Sequence, residues 1–307
     1  MNRNALNLGL VVVAAGLGAA VFFSRKKPEN LPPLTPYTKA TLNSVVIDHP
    51  GAPEIKLEKK SGVWKLLTPV LADTDSFEMN AFPDLATLKV KSSYTPAQVN
   101  LKDLGLDPPA YSVTLNGQKI EFGGVAPINY HRYVLTNGKV DLIPDPPAEA
   151  LDSNYSDLVS KLLIPPGEKI ESIALPGQTI ARSADDKSWV LTPDRPEIGS
   201  DARQKLVDAW AGAAAMWNAA EPKEGSKGDV ITVSFKNHTP VRFVVVSRRP
   251  ELVIARPDLG VRYTLSEQMV DTMLQLQAPV PAAAVKTGAN DETLGKSAAP
   301  AAPALKE

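Results

Sequence analysis

The sequence predicts an α+β fold made of two tandem, related lobes of mainly antiparallel strands with a few helices, preceded by one transmembrane helix. A tryptophan-bearing strand occurs twice, as GVWKLLTP around Trp64 and as KSWVLTP around Trp189, 125 residues further on. Asn-Gly pairs between alternating apolar stretches indicate hairpins. An uncharged apolar run near the N-terminus is long enough to cross a bilayer. Antiparallel strand runs with occasional helices are typical of the α+β class.

The composition of the chain narrows the classes of function. Its 307 residues suffice for two modest domains with appendages. A net charge of −1 argues against a nucleic-acid binder, which would carry a basic surface. The absence of cysteine excludes disulfides, thiolate metal sites and cysteine nucleophiles. Because no phosphate loop, metalloprotease or hydrolase signature is present either, we expect a non-enzymatic protein without cofactor or metal.

The N-terminal segments predict a membrane anchor. Residues 1–4 form a short tail, residues 5–23 are apolar and uncharged, and residues 24–39 include a Pro-rich spacer. As a helix, residues 5–23 would be about 28 Å long, close to the thickness of the hydrocarbon core. A buried helix and a cleaved signal peptide are alternatives, but the basic edge at 25–27 and the lack of an A-x-A site favour an uncleaved anchor. The flanking charges favour a cytoplasmic body, whereas a short tail before a large domain is typical of export, so the orientation stays open.

Lobe 1 is predicted over residues 40–163. We expect strands at 44–47, 54–59 and 63–66, then a helix opened by Asp75 and Glu78 at capping-box spacing. That helix would carry Phe77, Phe82, Leu85 and Leu88, with a kink or restart at Pro83. Two hairpins are expected at the Asn-Gly pairs 116–117 and 137–138. A short helix near 148–163 would close the lobe.

Lobe 2 is predicted over residues 164–277 with the same element order. Strands are expected at 170–175, 179–182 and 189–191, followed by a helix with Asp201 and Gln204 at capping-box spacing. That helix would place one apolar face on the core, formed by Leu206, Trp210, Ala213 and Trp217. Four strands follow, at 230–235, 241–246, 252–254 and 261–265, and a helix at 267–276 closes the lobe. Residues 278–307, rich in Ala and Pro, are expected to be disordered.

Several of these motifs together resemble a known family. They are W-x-L-x-x-P with a following acidic residue, Leu104–Pro109 (LGLDPP), the Asn116-Gly117 turn, and Phe122-Gly123-Gly124. Residues 41–276 thus resemble the bacterial family called domain of unknown function 4340. The resemblance implies a bacterial inner-membrane protein with its bulk in the periplasm, acting as an accessory or interaction subunit of an ABC-type transport or assembly system. It implies no catalytic residues, and the second lobe lacks the LGLDPP segment.

The tryptophans and the paired aspartates each have a structural and a functional interpretation. Trp64 and Trp189 could stack on a ligand, but matching positions on amphipathic strands favour the core. Trp210 and Trp217 are also expected to be core residues, because they lie on one face of the predicted helix. Asp73 and Asp75 could bind a cation, although a turn and a helix cap explain them more simply. Gly123-Gly124 is expected to be a turn or a bulge, since the rest of a phosphate loop is missing.

The densest polar-aromatic cluster is the predicted partner or ligand surface. Tyr130, His131 and Arg132 lie beside a strand start, and Arg248 and Arg249 fall in the comparable loop of lobe 2. Together they could receive an anionic group or a partner, and the alternative is a pair of solvated loops.

Three functions are therefore carried forward. The first is an interaction subunit that binds membrane-protein partners such as ABC transporter subunits. The alternative is a binder of a small ligand or an envelope polymer in the groove between the lobes. The third is a hydrolase, which would need a pocket holding two or more of four residues: Asp73, Asp75, Asp107 and His131.

Overall fold

The computed structural model describes residues 31–127, 129–146 and 151–276. The predicted anchor at 5–23, the first part of the spacer and the tail at 278–307 lie outside the described residues. Among the residues that are described, no helix has the length and apolar character needed to cross a membrane. The chain is mainly antiparallel β structure with a few short helices, arranged as two separate sheets.

The first sheet contains nine strands in the order β4-β3-β2-β1-β6-β7-β8-β9-β5. The strands are β1 Ser44–Asp48, β2 Ile55–Lys60, β3 Val63–Thr68, β4 Ala72–Asp73, β5 Ser92–Tyr94, β6 Tyr111–Leu115, β7 Gln118–Val125, β8 His131–Thr136 and β9 Lys139–Pro144. The expected hairpins at Asn116-Gly117 and Asn137-Gly138 are confirmed. All four turn residues have positive φ, which the tight turns between right-twisted strands require.

The second sheet contains eight strands in the order β12-β11-β10-β14-β15-β16-β17-β13. The strands are β10 Ile170–Leu175, β11 Gln178–Arg182, β12 Trp189–Thr192, β13 Trp217–Ala220, β14 Asp229–Phe235, β15 Val241–Ser247, β16 Leu252–Arg256 and β17 Val261–Leu265. Once β4 is set aside, the two sheets have the same order of strands. β5 and β13, which the sequence did not predict, occupy the same edge position in their sheets.

The predicted cap is present ahead of the helix of the first sheet, but the α-helix itself begins about one turn later than expected. Asp75 Oδ1 accepts the backbone N–H groups of Phe77 (2.8 Å) and Glu78 (3.4 Å), so its capping role is confirmed. A 3-10 turn over Glu78–Asn80 precedes α1, Ala81–Thr87. Pro83 lies in the first turn of α1, where its missing N–H is tolerated. Phe77, expected on the apolar face, is instead 78% exposed.

The helix of the second sheet, α3, spans Ser200–Ala211, and two expectations about it are wrong. Its N-cap is Gly199 without a side-chain cap, so Asp201 lies inside the first turn, and Gln204 bonds Trp189 Nε1 (2.9 Å) and Asp208 (2.7 Å) rather than closing a capping box. The helix ends before Gly212, so Trp217 is not on its face. Trp217 begins the edge strand β13 and is 47% exposed. Trp210 is fully buried, as expected.

The closing helices that the structure describes are α2, Tyr155–Leu158, and α4, Met269–Met273. The second is shorter than the predicted 267–276, and residues 148–150 of the first prediction lie outside the described residues. After α2, residues 158–163 form a connecting segment that bonds to both sheets. Asp75 N donates to Leu158 O (2.9 Å) and Ser160 N to Asp73 O (2.8 Å). Leu163 N then donates to Ala213 O (3.1 Å), just ahead of β13, and one cluster of buried apolar residues runs through both sheets.

Candidate functional site at the junction of the two sheets

The connecting segment separates two surface cavities of opposite charge. The first, the Trp64 groove, has a volume of ≈ 860 Å³ and lies beside the half-buried indole of Trp64. Its charged lining residues are Lys39, Lys59, Lys65, Asp73, Asp75 and Lys161. With four ammonium groups and two carboxylates, the Trp64 groove carries a net positive charge.

Two lysines of the Trp64 groove are not neutralised by a carboxylate. Lys39 Nζ donates to Asn80 Oδ1 (3.2 Å), and Lys59 Nζ donates to the Lys39 carbonyl (3.1 Å) and lies 5.9 Å from the centre of the Trp64 ring. Within the described ranges, neither forms an ion pair. Lys65, in contrast, is paired with Asp73. The groove therefore suits an anionic or sugar-like group better than a cation.

The second cavity, the Trp217 hollow, has a volume of ≈ 350 Å³ and is acidic. Its lining includes Glu78, Asp152, Asn154, Asp157, Asn218 and Lys161, beside the indole of Trp217. Lys161 lines both cavities, with Nζ 3.6 Å from Asp75 Oδ2 and 3.7 Å from Glu78 Oε1. Burial raises the pKa of Asp157, although its hydrogen bond from Asn154 N and the charge of Lys161 oppose the shift. In the part of the chain that the structure describes, no three His, Asp or Glu residues are placed to hold a metal ion.

A third cavity, the Tyr263 groove of ≈ 380 Å³, is lined by both sheets. Glu58, Lys65 and Asp73 come from the first sheet, and Arg256 and Tyr263 from the second. Burial raises the pKa of Tyr263 to about 12, against the opposing charge of Arg256. The phenol therefore stays neutral at physiological pH.

The residues proposed as a partner surface remain in two separate places. Arg132 donates to both carboxylate oxygens of Asp145 (2.5 and 3.4 Å) and to Gly123 O (2.9 Å). Burial alone would lower the pKa of Arg132, but the hydrogen bond and charge of Asp145 outweigh it and raise the pKa. His131 begins β8, and Tyr130 beside it is 78% exposed.

The corresponding arginines of the second sheet have their own partners. Arg248 pairs with Asp229 (2.5 Å) and Arg249 with Glu267 (3.2 Å). The β15–β16 loop that carries them matches the β7–β8 loop in sheet order, as the sequence predicted. No hydrogen bond or ion pair joins the two loops within the described ranges. The arginines are thus each held by a carboxylate and do not form one cluster.

The structure also shows where the tryptophans and aspartates considered from the sequence are placed. Trp189 is buried, with the Arg182 guanidinium 4.6 Å above its ring, which confirms it as a core residue. Trp64 is only half-buried at the matching position. Asp73 and Asp75 line the same groove, as a hydrolase would need, but Asp73 is paired with Lys65 and Asp75 caps the helix turn. Neither Asp107 nor His131 lines the Trp64 groove, the Trp217 hollow or the Tyr263 groove.

Three of the motifs noted in the sequence contact one another on the first sheet. Gly124 N donates to Leu104 O (2.8 Å), which joins the Phe-Gly-Gly motif to the LGLDPP segment. The strand register shifts between Phe122 and Val125, which confirms the expected bulge at the glycines. Because Arg132 binds Gly123 O, the loop beginning at Tyr130 is part of the same unit. These motifs stabilise one another.

A comparison with known protein families matches a region that contains these motifs. The profile described as Domain of unknown function (DUF4340) matches residues 40–224. The chain belongs to this family. The DUF4340 match covers the whole first sheet and continues through β13 of the second, so it contains every residue that lines the Trp217 hollow. No curated protein and no solved structure matches the chain.

The hydroxyl of one buried tyrosine in the DUF4340 region has no hydrogen-bond partner among the described residues. This is Tyr111, which is 3% exposed and whose ring stacks on Phe122 with centroids 4.6 Å apart. His49, whose ring centroid lies 5.6 Å from that of Tyr111, bonds Asp152 (2.8 Å) instead. Burial raises the pKa of Tyr111 to about 12, with Arg132 opposing.

Replacing Tyr111 with Phe is therefore expected to raise the free energy of unfolding by about 1 kcal/mol, since it removes a buried hydroxyl without a partner. Because the folded state holds the phenol proton up to a pKa of about 12, wild-type stability falls as pH rises from the ordinary value of 10.0 toward 12. The variant should lose less over this range, because it keeps the contributions of Tyr263 and Tyr155, whose pKa values burial also raises, but not that of Tyr111. Urea unfolding at about pH 7 and about pH 11 measures both effects. A variant less stable than wild type at neutral pH would mean that the hydroxyl is satisfied.

Proposed function

We propose that this DUF4340 protein is a non-enzymatic, membrane-anchored envelope protein that serves as an interaction subunit of an ABC-type transport or assembly system. Its docking surface is the junction between the two sheets. The observation that carries this proposal is a set of exposed apolar side chains within residues 63–77. Val63 is 57% exposed, Leu71 72% and Phe77 78%. Exposed apolar groups that cluster beside charged residues are typical of protein interfaces.

The position of Phe77 supports this assignment. Ser76 lines the Trp64 groove and Glu78 lines the Trp217 hollow, so Phe77 lies between the basic and the acidic cavity in the chain. An exposed aromatic side chain whose neighbours in the chain line charged pockets has the features of an interaction hot spot. A partner with complementary acidic and basic groups would be both attracted and oriented by such a surface.

The common strand order of the two sheets supports a body of two related lobes, over residues 40–163 and 164–277. In this proposal the duplicated body presents the junction, and residues 5–23 anchor it in the bacterial inner membrane with its bulk in the periplasm. Alkaline phosphatase fused to the C-terminus should then be active. A fusion that is stable but inactive would reject the periplasmic location.

A second candidate is the binding of a small ligand or an envelope polymer, which the sequence predicted in the groove between the lobes. The cavity that favours such binding is the Trp64 groove, which is lined by the first lobe, the connecting segment and residues 165–166. There the half-buried Trp64 lies beside Lys39 and Lys59, which form no ion pair among the described residues, and an indole with two ammonium groups suits an anionic saccharide. This candidate predicts retention on an acidic glycan resin that is lost on replacement of Trp64 by Leu.

Site-specific photocrosslinking tests the docking surface. A photoreactive phenylalanine analogue at Phe77 should crosslink to a transporter subunit in intact membranes, identified by mass spectrometry. The same analogue at Tyr94, which is 37% exposed on the edge strand β5, is the matched control and should not. No crosslink from Phe77, or the same products from both positions, would contradict the proposal.

A further inference from the structure

We infer that the Trp217 hollow is a binding site for a guanidinium group, supplied by an arginine side chain of the docking partner. That the guanidinium comes from a docking partner rests on the proposed function. That the hollow binds a guanidinium at all is argued from the geometry of the site alone. The charges, a buried acceptor and an exposed indole each point to this ligand.

The lining of the hollow has an excess of negative charge. Three carboxylates, from Glu78, Asp152 and Asp157, face one ammonium group, from Lys161. Lys161 is shared between Glu78 (3.7 Å) and Asp75 (3.6 Å), and Asp152 is bonded to His49. Asp157 accepts only the Asn154 backbone N–H (3.1 Å) and, in the described ranges, has no ion-pair partner. A cation entering the hollow would therefore find a carboxylate that no other cation occupies.

The amide oxygen of Asn218 indicates that the ligand is a hydrogen-bond donor. Asn218 lines the hollow and is 6% exposed, and among the residues that the structure describes its Oδ1 has no hydrogen-bond partner. Its Nδ2 donates to Ser156 O (3.3 Å) and Val159 O (2.8 Å), which fixes the amide so that Oδ1 stays the unused acceptor. Buried acceptors are almost always satisfied in native proteins. The missing donor is therefore expected to come from a bound group.

The indole of Trp217 completes the site. It is 47% exposed on β13 and lines the same hollow as the carboxylates. Guanidinium groups stack on aromatic faces while their remaining N–H groups donate to carboxylates and amides. Because an indole, a carboxylate and an amide oxygen line the hollow together, the arrangement suits a planar organic cation with several N–H donors.

Titration of the full-length protein with N-acetylarginine amide tests the site, with the uncharged isostere N-acetylcitrulline amide as the matched probe. Tryptophan labelled with ¹⁵N provides the readout, and the Trp217 indole signal is assigned by its loss in Trp217→Phe. The arginine probe should shift this signal saturably and the citrulline probe should not. Asp157→Asn should weaken binding about tenfold, as expected for one charge-assisted contact. Asp73→Asn, which alters the Trp64 groove instead, should leave it unchanged.

The inference fails if the Trp217 signal does not shift, if both probes bind equally, or if Asp157→Asn binds as tightly as the wild type. Its failure is distinguishable from that of the proposed function. Probe binding without a crosslink from Phe77 would retain the guanidinium site and reject the docking role. A specific crosslink without probe binding would retain the docking role and reject this site.

Discussion

Replacing Trp210 with Ala is expected to lower the free energy of unfolding by about 3–5 kcal/mol, the range for removal of a fully buried large aromatic side chain. Trp210 is 0% exposed and packs against Phe243, with ring centroids 5.2 Å apart. Its Nε1 donates to Met273 O (2.9 Å), so the one side chain fastens α3 to both the second sheet and α4. The alanine variant would leave a cavity and a carbonyl without its donor.

Denaturant unfolding followed by far-UV circular dichroism measures this loss without relying on tryptophan emission. Trp210→Phe keeps the ring packing but not the hydrogen bond, and should cost about 1–3 kcal/mol. Trp217→Ala is the matched control, because that indole is half exposed, and should change stability by less than about 1 kcal/mol. Equal losses for Trp210→Ala and Trp217→Ala would contradict the assignment of Trp210 to the core and Trp217 to the surface.

The hairpins of both sheets could be predicted because their determinants are local. An Asn-Gly pair and the apolar alternation on either side fix the turn and the register together, as at Asn116-Gly117. The edge strands β5 and β13 could not be predicted. They are three and four residues long, lack alternation, and exist because β9 and β17 offer them a partner.

Trp217 shows how a correct local pattern gives a wrong assignment. It follows Trp210 and Ala213 at helical spacing, which favours one helix face. Gly212 ends the helix, and the backbone of residues 213–215 pairs with the connecting segment instead. The tertiary pairing overrides the spacing, and the indole becomes part of a surface cavity.

The junction cavities could not be found from sequence spacing. The Trp217 hollow joins Glu78, residues 152–161 and residues 217–218, which are far apart in the chain. Among the lining residues, Trp64, Asp73 and Asp75 were considered for function from the sequence, and both aspartates are engaged by neighbours. One usable signal was Phe77, since a large apolar residue two positions after a capping aspartate need not face the core.

The clearest difference between the two lobes is the loop containing Tyr130 and Arg132, together with the LGLDPP segment. In the structure, both segments help to stabilise the first lobe. Leu104 O lies against the glycines of β7, and Arg132 binds Gly123 O on the same strand. The residues most suggestive of a ligand site therefore hold a bulge in place. Arg132 is thereby engaged within the lobe, whereas the Tyr130 side chain stays exposed.

Gly123→Ala tests this stabilising role and is expected to lower the free energy of unfolding by about 1–3 kcal/mol, as overpacking does. A Cβ at Gly123 would lie 2.4 Å from Leu104 O and 2.9 Å from Leu106 Cγ, so the LGLDPP segment must move away. Gly124→Ala is the matched control on the next residue, where a Cβ would meet Leu104 O at an ordinary 3.5 Å. Urea unfolding should separate the two variants. If they are equally stable, the close approach of LGLDPP to β7 does not hold the lobe together, and the Tyr130 loop regains its claim as a binding surface.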